Sequence, residues 1–284
     1  MGKNDRLVWG LLVLGLVIDV WLYSTIGGWY NTNRVSAYFL PVGEGEATLL
    51  ILPGGKRVLI DGGPSPSVIG EMSNVMPPWV RRIDAVIMTH PTSDRITGLI
   101  DVLHSYHVGV VFQSGESNSN AAYALWSETL KKNNIHPFTL HTHDVIHVAG
   151  AEFSVLRAFD EGGSTGIRKN MERSVVMKLL FRGRSILFTS NASKATLATL
   201  APQELAADVL KVPRYGSAAG LDDLVLHLIH PAIGVIEVGS NKYGYPAPSV
   251  LALLRAAGVR VMRTDHERPT ITIDHAGMLT VSSF

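Results

Sequence analysis

The stretch Ala85 to Gly98 carries the densest chemistry in this sequence. An apolar run, Ala-Val-Ile-Met, delivers His90, Thr92, Asp94 and Arg95 onto a short loop. Imidazole and carboxylate are the donors that zinc and manganese accept, and His90 and Asp94 stand four positions apart. Asp61, just before Gly62-Gly63, is a further carboxylate at the end of an apolar run. A hydrolytic two-metal site needs several anionic or imidazole ligands around each ion, with a carboxylate bridging the pair. Thr92 is a weak neutral donor and Arg95 a fixed positive charge, so half of that ligand chemistry is missing.

Short elements must position these residues. Val35 to Leu40, Ala47 to Leu52 and Arg57 to Ile60 read as strands, the last two joined by Pro53-Gly54-Gly55. Ala85 to Met88 is a buried strand, and Ile96 to Tyr106 a helix with an apolar stripe at Ile96, Leu99, Ile100 and Leu103. Strand Val108 to Phe112 and helix Ala121 to Asn133 follow. Phe138 to Leu140, Val145 to Val148 and Glu152 to Leu156 are short strands, and Gly162 to Gly166 reads as a flexible loop. Ser174 to Phe181 and Ser185 to Thr189 form a hairpin across Arg182-Gly183-Arg184.

From there helices near Lys194 to Leu200, Leu221 to Ile229 and Pro248 to Ala257 alternate with strands Asp208 to Val212, Ile233 to Glu237 and Arg260 to Arg263. A last hairpin pairs Thr270 to Ile273 with Leu279 to Ser282. Two β-rich halves with interspersed helices predict two sheets packed face to face, with helices outside: a four-layer αββα sandwich of the α/β class.

The chain has 284 residues, 46% hydrophobic and 17% charged, enough for a large core. A formal net charge of +1 excludes a strong general attraction to nucleic acid or anionic lipid, though local basic clusters can still hold phosphates. No cysteine is present, which rules out disulfides and thiolate metal sites. Lys3 and Arg6 precede an apolar run, Leu7 to Ile26, long enough to cross a bilayer. Asp19 within it costs roughly 2.5–3.5 kcal/mol at the bilayer centre. Trp21, Tyr23, Trp29 and Tyr30 suit an interfacial belt. The expected organisation is therefore a single-pass membrane anchor over residues 1–30, N-terminus cytoplasmic, and one extracytoplasmic domain over residues 31–284. A cleaved signal peptide is the alternative.

Six segments together carry a resemblance: Phe39-Leu-Pro-Val-Gly-Glu-Gly-Glu-Ala47, Ile60-Asp-Gly-Gly63, Thr89-His-Pro-Thr-Ser-Asp-Arg95, Ile186-Leu-Phe-Thr-Ser-Asn191, Leu210-Lys-Val-Pro-Arg-Tyr-Gly-Ser217 and Gly239-Ser-Asn-Lys-Tyr-Gly-Tyr-Pro246. In order and spacing they resemble the metallo-β-lactamase-fold domain of the ComEC-type DNA-uptake competence proteins. The resemblance implies the four-layer sandwich and a zinc or manganese hydrolase site. It also shows where this chain departs. His90 and Asp94 match the family's metal motif, while Thr92 and Arg95 replace an aspartate and a histidine. Asn191 stands for an aspartate, Arg214-Tyr215 for paired histidines, and Tyr245 for a histidine.

Several readings stand side by side. His90, Asp94 and Asp61 are the residual metal ligands, or they serve as a loop hydrogen-bonder, a helix cap or Arg95 partner, and a turn former. Arg95, Arg214, Tyr215, Asn191 and Tyr245 contact an anion, nucleotide or nucleic acid, or they fill an emptied pocket by pairing with Asp61 and Asp94. His141, His143 and His147 read as solvated strand-edge residues. The preferred expectation is a catalytically inactive, metal-free binding or assembly module near DNA uptake, with a separate channel protein as partner. An active phosphodiesterase or nuclease and a closed structural envelope protein are the alternatives.

Overall fold

The computed structural model describes residues 14–17, 33–158 and 174–283. Strands β1 (Val35–Phe39), β2 (Thr48–Leu52), β3 (Lys56–Ile60), β4 (Arg82–Met88), β5 (His107–Gln113) and β6 (Phe138–Thr139) belong to the first sheet. It is completed by β14 (Pro269–Ile273) and β15 (Leu279–Ser283), in the order β15-β14-β1-β2-β3-β4-β5-β6. The second sheet holds β7 (Val145–Val148), β8 (Ala151–Arg157), β9 (Val176–Phe181), β10 (Arg184–Phe188), β11 (Val209–Lys211), β12 (Ile233–Ile236) and β13 (Arg260–Arg263), in reverse sequence order.

Side chains of successive strand residues point to opposite faces, and the sequence uses that period. Leu50, Val58, Ile60, Phe153, Ile186 and Phe188 enter the core between the sheets. Their neighbours Leu49 and Leu59 pack outward under the helices of the first sheet, and Leu187 under those of the second. Helices α1 (Ser67–Val75), α2 (Ser93–Ser105) and α3 (Ala121–Lys132) supply Met72, Leu99 and Trp126 to the first outer layer. Helices α4 (Lys194–Leu197), α5 (Pro202–Leu205), α6 (Asp223–Ile229) and α7 (Pro248–Ala256) cover the second sheet through Leu197, Leu205, Val225 and Leu254. The four-layer expectation holds for the two sheets and their helices. Helix α1 has no counterpart among the elements read from the sequence: Pro64 and Pro66 precede it, and no side chain caps its start. By contrast Asn120 and Asp222 cap α3 and α6 by accepting from the amides of Tyr123 and Val225.

The anchor expected over Leu7 to Ile26 lies outside the described residues apart from 14–17, and so does the loop Gly162 to Gly166. Among the described residues no helix is long and apolar enough to cross a membrane.

One close approach fixes the site. The Gly62 amide donates to the Arg95 carbonyl at 2.7 Å and the Gly98 amide to the Gly63 carbonyl at 3.1 Å, so α2 lies against the end of β3. A Cβ on Gly98 would stand 2.0 Å from the Gly62 carbonyl oxygen. Gly98→Ala should therefore destabilise the protein by about 1–3 kcal/mol, as overpacking does. Urea denaturation checks this, and an unchanged midpoint would contradict so close a contact.

Candidate functional site

Charged residues gather where the parallel strands of both sheets end. Asp61 follows β3, Thr89 follows β4, and Arg95 sits in the first turn of α2. From the second sheet come Ser190 and Asn191 after β10, Lys211 as the last residue of β11, and Glu237 directly after β12. Glu46 arrives from the loop between β1 and β2. Arg95 is 0% exposed, Glu46 1%, and Asp61, Lys211 and Glu237 no more than 3%, so every charge here must find its partner inside the protein.

Glu46 Oε2 receives both the Arg95 guanidinium and the Lys211 ammonium. Arg95 Nη1 also reaches Asp61 Oδ2 at 3.1 Å, its Nη2 donates to Asn191 Oδ1 at 2.8 Å, and its Nε lies 3.8 Å from Asp94 Oδ2. Asp61 accepts from the Thr89 amide at 2.8 Å and from the Thr89 hydroxyl at 2.6 Å. Lys211 Nζ lies 3.1 Å from Glu237 Oε2, in ion-pair range but outside hydrogen-bond alignment. Glu237 Oε1 accepts from the Ala47 amide at 3.1 Å and the Thr48 hydroxyl at 3.2 Å. The Tyr215 hydroxyl donates to Asp94, and its ring lies against Arg95 at 5.8 Å.

Electrostatics follow from four carboxylates facing two fixed cations. Burial works to raise Glu46, but Arg95 and Lys211 outweigh it and hold its carboxyl below the usual range. Burial likewise opposes Asp94, yet Arg95 and the Tyr215 hydroxyl leave it lowered. Asp61 is raised by burial despite Arg95, with Glu46 adding repulsion. Burial pushes Glu237 up to about 7 even beside Lys211. The crowding of negative charge thus weighs most on Glu237 and Asp61, whose carboxyls are both raised.

The backbone is unusual here as well. Asp61, Ser190, Arg214 and Tyr215 all adopt left-handed conformations, with φ of 57°, 46°, 53° and 58°. Such residues store strain that only the surrounding packing maintains, and strain of this kind gathers at functional sites.

Zinc or manganese does not fit this donor set. Among the described residues no three His, Asp or Glu side chains form a group able to hold a metal ion. A guanidinium and an ammonium lie among the carboxylates, and like charges at that range repel strongly in a low-dielectric interior. His90 turns instead to Glu116, with Nδ1 3.0 Å from Oε2. Of the three expected metal residues, Asp61 and Asp94 both flank Arg95, whereas His90, on the loop after β4, is the one paired elsewhere.

Asn191 and Tyr215 are also Arg95 neighbours, and Arg95 itself faces carboxylates rather than solvent. Tyr245 stacks on Tyr215 at 6.4 Å and on the exposed Tyr243 at 5.7 Å, so a row of rings leads from the cluster to the surface. Arg214 is half-buried beside them. His141, His143 and His147 are exposed on β7 and the turn before it.

Sequence reasoning missed Glu46, Lys211 and Glu237 as members of the cluster. The signal was present in two of them. Leu210-Lys-Val and Val235-Ile-Glu-Val each set a charge within an apolar run, at the end of a strand buried on both faces, where it demands a partner.

Comparison with known proteins agrees with this architecture. No family model matches the chain. It is 26% identical over 259 residues to ComE operon protein 3 of Bacillus subtilis, covering 80% of this chain and 31% of that protein. It is 22% identical over 276 residues to competence protein ComA of Neisseria gonorrhoeae, covering 90% and 36%. The chain thus spans about a third of the length of the curated relatives it matches. Among solved structures it is similar to the metallo-β-lactamase fold protein YhfI from Bacillus subtilis, with a TM-score of 0.56 at 11% identity, covering 87% of this chain and 100% of that one. The described residues have the metallo-β-lactamase fold. With the competence-protein relatives, the matches support a ComEC-type domain of that fold.

Proposed function

We propose that this chain is a ComEC-like metallo-β-lactamase-fold domain that carries out no metal-dependent hydrolysis and serves as a binding or assembly module linked to DNA uptake. The observation that carries the reading is the pair of buried cations, Arg95 and Lys211, among Glu46, Asp61 and Glu237. A fixed guanidinium at this point disfavours a dication by direct repulsion. The apolar run Leu7 to Ile26 would anchor the domain at the membrane, and a separate protein would supply any channel. Arg214, Tyr215, Tyr245 and Asn191 are the groups proposed to meet a nucleotide or nucleic acid. The competence names of the relatives support that ligand class.

A second reading is a structural envelope protein with a closed pocket. It is favoured by the burial of Arg95 and its engagement with three carboxylates and Asn191. Binding of single-stranded DNA by the full-length chain, lost in Tyr245→Ala, would decide for the first reading over this one.

The test of inactivity is metal content and cleavage by the full-length chain purified without chelator. Fewer than about 0.1 ions per chain and no cleavage of single-stranded DNA with magnesium, manganese or zinc are expected. A stoichiometric ion, or divalent-dependent cleavage lost in Asp94→Ala, would overturn the proposal.

A further inference from the structure

We propose that the end of the sandwich opposite the charged cluster is its membrane-facing surface, where Trp79 enters the headgroup layer of an anionic phospholipid bilayer and exposed arginines and a lysine meet lipid phosphates. It rests on the anchored reading of Leu7 to Ile26 and adds the face that the domain turns to the bilayer.

Strand direction defines that end. Strands β3, β4 and β5 pair in parallel, and β1 runs the same way because both it and β3 are antiparallel to β2. Glu46, Asp61 and Thr89 lie beyond the last residues of these strands. The first residues lie at the far end, roughly 17–23 Å away for strands of five to seven residues. Eight residues, 27–34, join the start of β1 to the apolar run, a tether of at most about 30 Å in any conformation. The turn between β14 and β15 is at this end too, since Ile273 pairs with Val35. So is the turn between β9 and β10, where Arg184 Nε donates to the Gly277 carbonyl at 3.0 Å.

The chemistry of this end fits a lipid surface. Trp79 is 59% exposed, although Pro77 and Val80 beside it are buried and the Val80 amide closes the turn on the Pro77 carbonyl at 3.0 Å. A fixed turn therefore holds the ring outward. Met278, also 59% exposed, lies in the turn between β14 and β15. Arg34, Lys56, Arg81, Arg82 and Arg182 are exposed at the same end. Asp84 serves both Lys56 and Arg82, at 3.2 and 3.4 Å, and Asp274 accepts the amides of Ala276 and Met278 in its own turn. Positive charge is thus in excess here, while Glu46, Asp61, Asp94 and Glu237 crowd the opposite end, an asymmetry that a formal net charge of +1 conceals.

A tryptophan ring settles among headgroups, and neighbouring cations are drawn to anionic lipid. The tether alone would let the domain tip either way. The basic, aromatic end selects one orientation, which turns the row Tyr215–Tyr245–Tyr243 away from the bilayer.

The lack of native cysteine makes a labelling test direct. The full-length chain carries His275→Cys, in the turn between β14 and β15, or Glu44→Cys, in the loop at the cluster end; both positions are exposed. Each variant is labelled with bimane and reconstituted into vesicles of phosphatidylcholine and phosphatidylglycerol whose headgroups bear a nitroxide quencher. Quenching at His275→Cys should exceed that at Glu44→Cys by at least about three-fold. Adding Trp79→Ala/Arg81→Glu, or using phosphatidylcholine alone, should roughly halve it. Equal quenching at the two labels, stronger quenching at Glu44→Cys, or no response to Trp79→Ala/Arg81→Glu would each overturn the proposal. Self-association that shields the His275→Cys label without lipid quenching would give the face to a second copy and overturn it as well. Alkaline carbonate extraction separates the two readings: release of the chain from the vesicles ends the anchor, whereas the quenching ratio, read before extraction, decides the face.

Discussion

Arg95→Met should lower the free energy of unfolding by about 3–5 kcal/mol, the loss expected when one partner of a buried ion cluster is removed. The physical reason is what stays behind. Glu46 keeps Lys211, but Asp61 keeps only the Thr89 donors, and Asn191 Oδ1 loses its donor. Glu46 and Asp61 are buried and cannot recover hydration without opening the site, while Asn191 is half-buried. The contrast is Lys56, which pairs with Asp84 at 3.2 Å with its side chain 52% exposed. Lys56→Ala should change stability by less than about 1 kcal/mol, because water screens that pair. Urea denaturation of both variants checks the ranking. A loss below about 1 kcal/mol for Arg95→Met would mean that the cluster opens readily to water. Adding Asp61→Asn should then return part of the loss, since one uncompensated charge is removed.

The second large effect is on pH. The folded-state pKa of Glu237, about 7, lies above its ordinary value of 4.5, so the folded protein holds this proton more tightly than the unfolded chain. Its contribution is fully present below about pH 4.5 and is lost as pH rises through about 7. The span amounts to about 3 kcal/mol. Glu46 and Asp94 act in the opposite sense, since their lowered carboxyls favour the folded state at higher pH and lose that contribution as pH falls. The whole-protein curve mixes these trends, so the prediction is a difference. Relative to Glu237→Gln, the parent should lose about 3 kcal/mol between pH 4.5 and 7.5. Parallel curves for the two proteins would show that Glu237 keeps its ordinary carboxyl pKa in the folded protein.

Together these effects give the cluster a dual character. It ties the two sheets together at their strand ends, and it sets a guanidinium and an ammonium among buried carboxylates. Around it Asp61, Ser190, Arg214 and Tyr215 keep left-handed backbone, which packing sustains without glycine. The row Tyr215–Tyr245–Tyr243 extends from this region to solvent.

Local pattern was enough for most elements. Val145–Val148 and Arg260–Arg263 have the bounds that their residues suggest, and α2 follows the apolar stripe of Ile96, Leu99 and Leu103. The near-continuous apolar residues of β2 and β3 divide between the core between the sheets and the layer under the helices, as the period of two requires. The resemblance to the competence-protein family, read from the sequence, also implied an incomplete metal ligand set, with Thr92, Arg95, Asn191 and Tyr215 at its ligand positions. What only the tertiary structure decided is which charges meet. Periodicity and turn chemistry act over a few residues, whereas Glu46 finds Lys211 across 165 positions and Glu237 finds Thr48 across 189, once two sheets have brought their strand ends together. A buried charge announces in sequence that it needs a partner; the partner is chosen by packing.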